Sequence, residues 1–62
     1  MIESGTIRFF DKSSNDEACV IVSYDVHNVF LALSLKSDGD IEVMMSKAEA
    51  RELVANLQKA LL

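Results

Sequence analysis

Cys19 and His27 are the only cysteine and the only histidine in the chain. A cysteine nucleophile needs a base within hydrogen-bond reach. Residues 18 to 24 alternate as a strand does, with Cys19 at the start and His27 beyond the end. The six residues from Cys19 to Asp25 span roughly 20 Å at ~3.3 Å per residue. A Cys–His pair within one chain is therefore out of reach. Cys19 reads as a small apolar filler, and His27 as an exposed residue at a hairpin turn. A structural zinc site takes about four Cys and His ligands, and these two are the whole supply. There is no P-loop, GxGxxG, HExxH or paired-cysteine motif. The expectation is a non-enzyme without cofactor or metal.

The acids are the other chemical feature. The net charge is −4, from 10 acidic and 6 basic residues. Residues 1–46 hold eight acids and three bases, and residues 47–62 hold two acids and three bases. The first part therefore carries −5 and the tail +1. In an antiparallel meander the first and third turns share one end of the sheet. Asp11, Asp16, Glu17, Asp38 and Asp40 would gather there, with Lys12 and Lys36 among them. Such an end could dock a basic partner, bind a divalent cation or imitate nucleic-acid phosphates. It could equally be ordinary turn chemistry, since turns favour Asp and Ser. The Asp11 to Glu17 spacing lacks the length and central Gly of an EF-hand loop. Direct nucleic-acid binding is not expected, because its affinity rests on Lys and Arg against phosphates.

The elements that place these residues are legible. Ser46-Lys47-Ala48-Glu49 has the form of a capping box. After it Ala50, Leu53, Val54, Leu57 and Leu61 recur at helical spacing, so a helix is expected over about 47 to 61. Four segments alternate at period two: Thr6–Phe10, starting near Ile2 with a bulge at Gly5; Ala18–Tyr24; Asn28–Lys36; and Ile41–Met45. A three-residue loop Ser37-Asp38-Gly39 suits a turn ending in a left-handed glycine. That register sets Lys36 opposite Asp40, Leu35 opposite Ile41 and Leu33 opposite Val43. The second hairpin closes at His27-Asn28 or over Asp25 to Asn28. The expected fold is α+β, a four-stranded antiparallel meander (ββββα) with one C-terminal helix on one face, as a single domain over 1–62. Val20, Val22, Leu31, Leu33 and Val43 then face the helix, with Ile7 and Phe9 beside them.

The opposite face carries Ile21, Phe30, Ala32 and Met44 at its centre. A contiguous apolar patch marks an interface, though scattered surface apolars are common. A 60-residue domain buries only about 60% of its unfolded surface, and small scaffolds need disulfides, metal or self-association. With one cysteine, self-association remains, so a homodimer through this second face is expected. The sheet edges and the helices are the other candidate dimer surfaces. No apolar run approaches the ~18 residues of a membrane span, and no leader pattern opens the chain; the cytoplasm is the default expectation. The leading functional reading is a small non-catalytic module that regulates an unidentified protein by binding it. The alternatives are an acidic inhibitor that mimics DNA, and a single-stranded nucleic-acid binder built on a ββββα dimer.

Overall fold

The computed structural model describes all residues, Met1–Leu62. Four strands, β1 (Ile2–Phe10), β2 (Glu17–Tyr24), β3 (Asn28–Leu35) and β4 (Gly39–Ser46), precede one helix, α1 (Lys47–Ala60). The strands form one antiparallel sheet in the order β1-β2-β3-β4. This is the expected ββββα meander.

Each turn has a local cause. The β1–β2 turn is held by Asp11, whose Oδ2 accepts from the Ser14 hydroxyl (2.6 Å), the Ser13 hydroxyl (2.9 Å) and the Ser14 amide (3.0 Å). Asn15 sits there at φ 58°, a left-handed conformation that Asn tolerates better than most residues. The β2–β3 turn is an Asx turn: Asp25 Oδ1 accepts from the His27 and Asn28 amides at 2.9 and 2.8 Å. It closes over Asp25 to Asn28, the longer of the two expected options, with Tyr24 opposite Val29.

The β3–β4 turn corrects the expected register. Leu35 pairs with Gly39, Leu33 with Ile41, Leu31 with Val43 and Val29 with Met45. The loop is Lys36-Ser37-Asp38, one residue earlier than expected, with an Asp38 N–H to Leu35 C=O bond of 3.2 Å. Gly39 does adopt a positive φ, 89°. The cause of the shift is a cross-turn anchor. Asp16 Oδ2 accepts from the Ser37 amide (2.9 Å) and hydroxyl (2.6 Å). Lys36 stays on the β2 ladder, with its amide 3.0 Å from the Glu17 carbonyl. Its ammonium lies 3.2 Å from the Glu17 carboxylate, so the expected Lys36–Asp40 pair is replaced by Lys36–Glu17. The pairing moves by two positions, an even number, so every side chain keeps its face.

β1 pairs with β2 along its whole length, Ile7 opposite Val20 and Phe9 opposite Ala18. Both therefore lie on the face expected for the helix. The register shifts between Glu3 and Gly5, the bulge that Gly5 suggested.

The helix begins where β4 ends. Ser46 is extended (φ −70°, ψ 164°) and is both the last residue of β4 and the N-cap of α1. Its hydroxyl accepts from the Glu49 amide at 3.1 Å, and its amide donates to the Glu49 carboxylate at 2.8 Å. The capping box is complete, with no loop residue between strand and helix. Lys47 Nζ lies 5.2 Å from the centre of the Tyr24 ring, a cation–π contact tying the helix start to the end of β2. Beyond this junction the helix approaches only β3 and β4. Ile7 and Phe9 on β1 and Leu33 and Ile41 on β3 and β4 stay exposed, so the expectation that the helix covers the whole apolar face is corrected.

The secondary structure is complete while the second layer is thin. Of 42 backbone hydrogen bonds, 34 lie within helices and strands, yet no residue is fully buried. The radius of gyration is 12.6 Å, against about 11 Å for a compact chain of this length.

Candidate interaction surface

The first face of the sheet carries Ile7, Phe9, Val20, Leu31, Leu33, Ile41 and Val43, aligned across four strands by the observed pairing. They share one face because a strand turns successive side chains to opposite faces. In a closed α/β layer they would form the core. Here Ile7 is 61% exposed and Ile41 59%, and Phe9, Leu33 and Val43 are exposed as well. Phe9, Ala18, Val20, Leu33, Leu35 and Ile41 floor a shallow groove of ≈ 360 Å³ at the sheet end away from the helix. Asp11, Asp38 and Asp40 border it.

The helix mirrors this. Ala50 and Leu53, in its first half, are half-buried. Val54, Leu57 and Leu61 lie further along the same stripe and are exposed, Leu57 at 54%. One chain thus holds an apolar helix stripe and an apolar sheet face, each largely without a partner.

The second face is the surface the sequence marks. The structure brings its four central residues together: Ile21 pairs with Ala32, and Phe30 with Met44. Ile21, Phe30 and Ala32 are half-buried and Met44 is 61% exposed. Arg8 and Thr6 join that face from β1, opposite Cys19 and Ile21. More exposed apolar surface lies on the first face than on the second. The expectation from sequence is the reverse, because it places the helix over the whole first face.

The acidic end is also assembled, and its members differ. Asp11 and Asp16 hold turns, and both carboxyls are lowered below the ordinary aspartate range. For Asp11 the main cause is the Ser14 hydroxyl, then the Ser13 hydroxyl; for Asp16 it is the Ser37 hydroxyl, then the Ser37 amide. Glu17 is paired with Lys36. Asp38 and Asp40 make no side-chain hydrogen bond or ion pair and remain open to a partner. The Asp16–Ser37 link spans 21 positions and escapes a reading by local spacing. A signal for it exists: both turns lie at one end of the sheet, and serine donors sit beside aspartate acceptors.

Cys19 stands between Arg8 and Ser34 in the half of the sheet near these turns, and His27 in the opposite turn. No three His, Cys, Asp or Glu side chains converge as a metal-ligand set, and no helix is long and apolar enough to cross a membrane.

A folded monomer of 6.9 kDa exposes roughly 4,000 Å² by the surface scaling of globular proteins. This chain exposes 5114 Å². The excess accompanies exposed apolar residues on the first face and along the helix, Ile7, Ile41 and Leu57 among them. Comparison with protein-family models, curated proteins and solved structures gives no match to this chain.

Proposed function

We propose that this chain is a small, non-catalytic protein-interaction module that works as a homodimer and regulates another protein by binding it. One observation carries the reading: a complete sheet and helix in which no residue is fully buried. Removing apolar surface from water is the largest favourable contribution to folding, and this chain holds the apolar surface for it on unpartnered faces. The patch of Ile21, Phe30, Ala32 and Met44 is the surface offered to the partner protein. It is contiguous, central and not flanked by any convergent catalytic groups.

The test is a paired capture. A tagged wild-type chain and a Phe30→Glu chain are used as baits under the same conditions, with light scattering confirming the oligomer of each. The expected result is a partner retained by the wild type and lost from Phe30→Glu, which stays dimeric. Equal recovery by both baits would remove the second face from the reading.

A second reading, an acidic inhibitor imitating nucleic-acid phosphates, is favoured by Asp38 and Asp40, which carry no internal partner. It is weakened by Asp11, Asp16 and Glu17, which are committed to turns and an ion pair. Competition with DNA for a nucleic-acid-binding protein, lost in Asp38→Asn/Asp40→Asn, is its signature. Binding of single-stranded nucleic acid has less support: Lys36, one of three bases on the sheet and its turns, is held by Glu17.

A further inference from the structure

We infer that the module dimerises by helix exchange: α1 of each copy lies across the first sheet face of the other. This rests on the homodimeric reading above and specifies its geometry.

Three observations converge on a second copy as the occupant. The first is the junction. Ser46 closes β4 and caps α1 with no residue between them. Reversing direction to lie back over its own sheet takes a connection of about 2–6 residues. The chain has none, and the capping box and the Lys47–Tyr24 contact fix the direction of departure. Short connections between packed elements are the condition that favours exchange between copies. The second is dimension. Fourteen helical residues span about 21 Å at ~1.5 Å per residue. Eight strand residues span about 26 Å at ~3.3 Å per residue. One helix therefore covers nearly the length of the sheet.

The third is area. The excess over a closed monomer is about 1,100 Å² per chain on the scaling law, or about 2,200 Å² for a pair. That falls in the range of obligate homodimers, about 2,000–5,000 Å². Two reciprocal helix-to-sheet contacts form a closed two-fold assembly, in which each chain gives the other its second layer.

The experiment has two arms. In the first, wild type and a variant with Gly-Ser-Gly-Ser inserted between Ser46 and Lys47 are compared by size exclusion with light scattering and by circular dichroism. The wild type is expected at twice the 6.9 kDa chain mass. The inserted variant is expected as a monomer with unchanged helix content, because its helix can now reach its own sheet. In the second, a Cys19→Ser chain carrying both Leu33→Cys and Leu57→Cys is oxidised at its native linker length. Cross-linking between chains is expected on a non-reducing gel. A monomer band closed by an intrachain disulfide overturns helix exchange, and this arm stands even if the insertion does not fold. A dimer that survives the insertion but dissociates with Phe30→Glu moves self-association to the second face; helix exchange falls while the homodimeric module stands. A monomeric wild type at high micromolar concentration overturns both.

Discussion

At the scale of the residue, short polar side chains do more than the large ones to decide where this chain turns. Asp11, Asp16, Asp25 and Ser46 each satisfy backbone amides that the strands and helix leave unpaired. Capping of this kind competes with continued strand and so sets turn positions. The capping box is legible in the sequence because both partners lie three positions apart. The reach of Asp16 to Ser37 is not, because that pair is made by the meander and not by spacing. Asp11 and Asp16 consequently look like a charged surface in sequence when their role is to hold turns. Their carboxyls are lowered in the folded chain, as is Asp25, chiefly by the His27 amide, and Glu49, chiefly by the Ser46 amide. A lowered folded value means stability that is complete above the ordinary aspartate value of 3.8 and is lost as pH falls through the folded value. Melting temperatures recorded from neutral pH downward should therefore fall below about pH 4, with a shallower slope for Asp16→Asn. Identical slopes for the two proteins would contradict the Ser37 anchor. Gly39 is the other residue with a defined task. An added Cβ would meet nothing within 4 Å, but φ is +89°. Gly39→Ala should cost about 1–2 kcal/mol from backbone strain alone, read as a shift in urea midpoint at constant slope.

At the scale of the element, alternation and helical period predict every strand and the helix, with boundaries that coincide at Phe10, Tyr24, Asn28 and Lys47 and differ elsewhere by up to four residues. The faces survive a wrong register because the error is even. What alternation cannot reveal is the reach of a helix from its junction. Val54, Leu57 and Leu61 have the spacing of a packed stripe, and the stripe is exposed because the strand runs into the helix without a loop. The two outer strands raise a related issue. β1 and β4 each leave one edge unpaired, and open edges invite pairing with other chains. The bulge at Gly5 and the charges of Arg8, Asp40 and Glu42 on these strands oppose it. The helix stripe gives a prediction of its own. Leu57→Ala on a free arm would change stability by no more than about 0.5 kcal/mol. On a helix seated against a partner sheet it should cost about 2–3 kcal/mol per site. Urea titration at fixed protein concentration separates the two.

At the scale of the whole molecule, 5114 Å² of exposed surface on 62 residues exceeds the roughly 4,000 Å² of a closed monomer of this mass. The composition is half apolar, with one cysteine and one histidine, and the proposed dimer would supply the missing core. Folding coupled to association is concentration-dependent. The melting temperature should accordingly rise with protein concentration, and a constant value over a hundredfold dilution would contradict a homodimer. The meander itself sets the order of events in time. Every strand pairs with its neighbour in sequence, so the sheet needs no long loop closure, and locally paired chains fold fast. Refolding should show a rapid phase independent of concentration as hairpins join into the sheet. A second-order phase should follow, in which the rate depends on how often two such sheets meet.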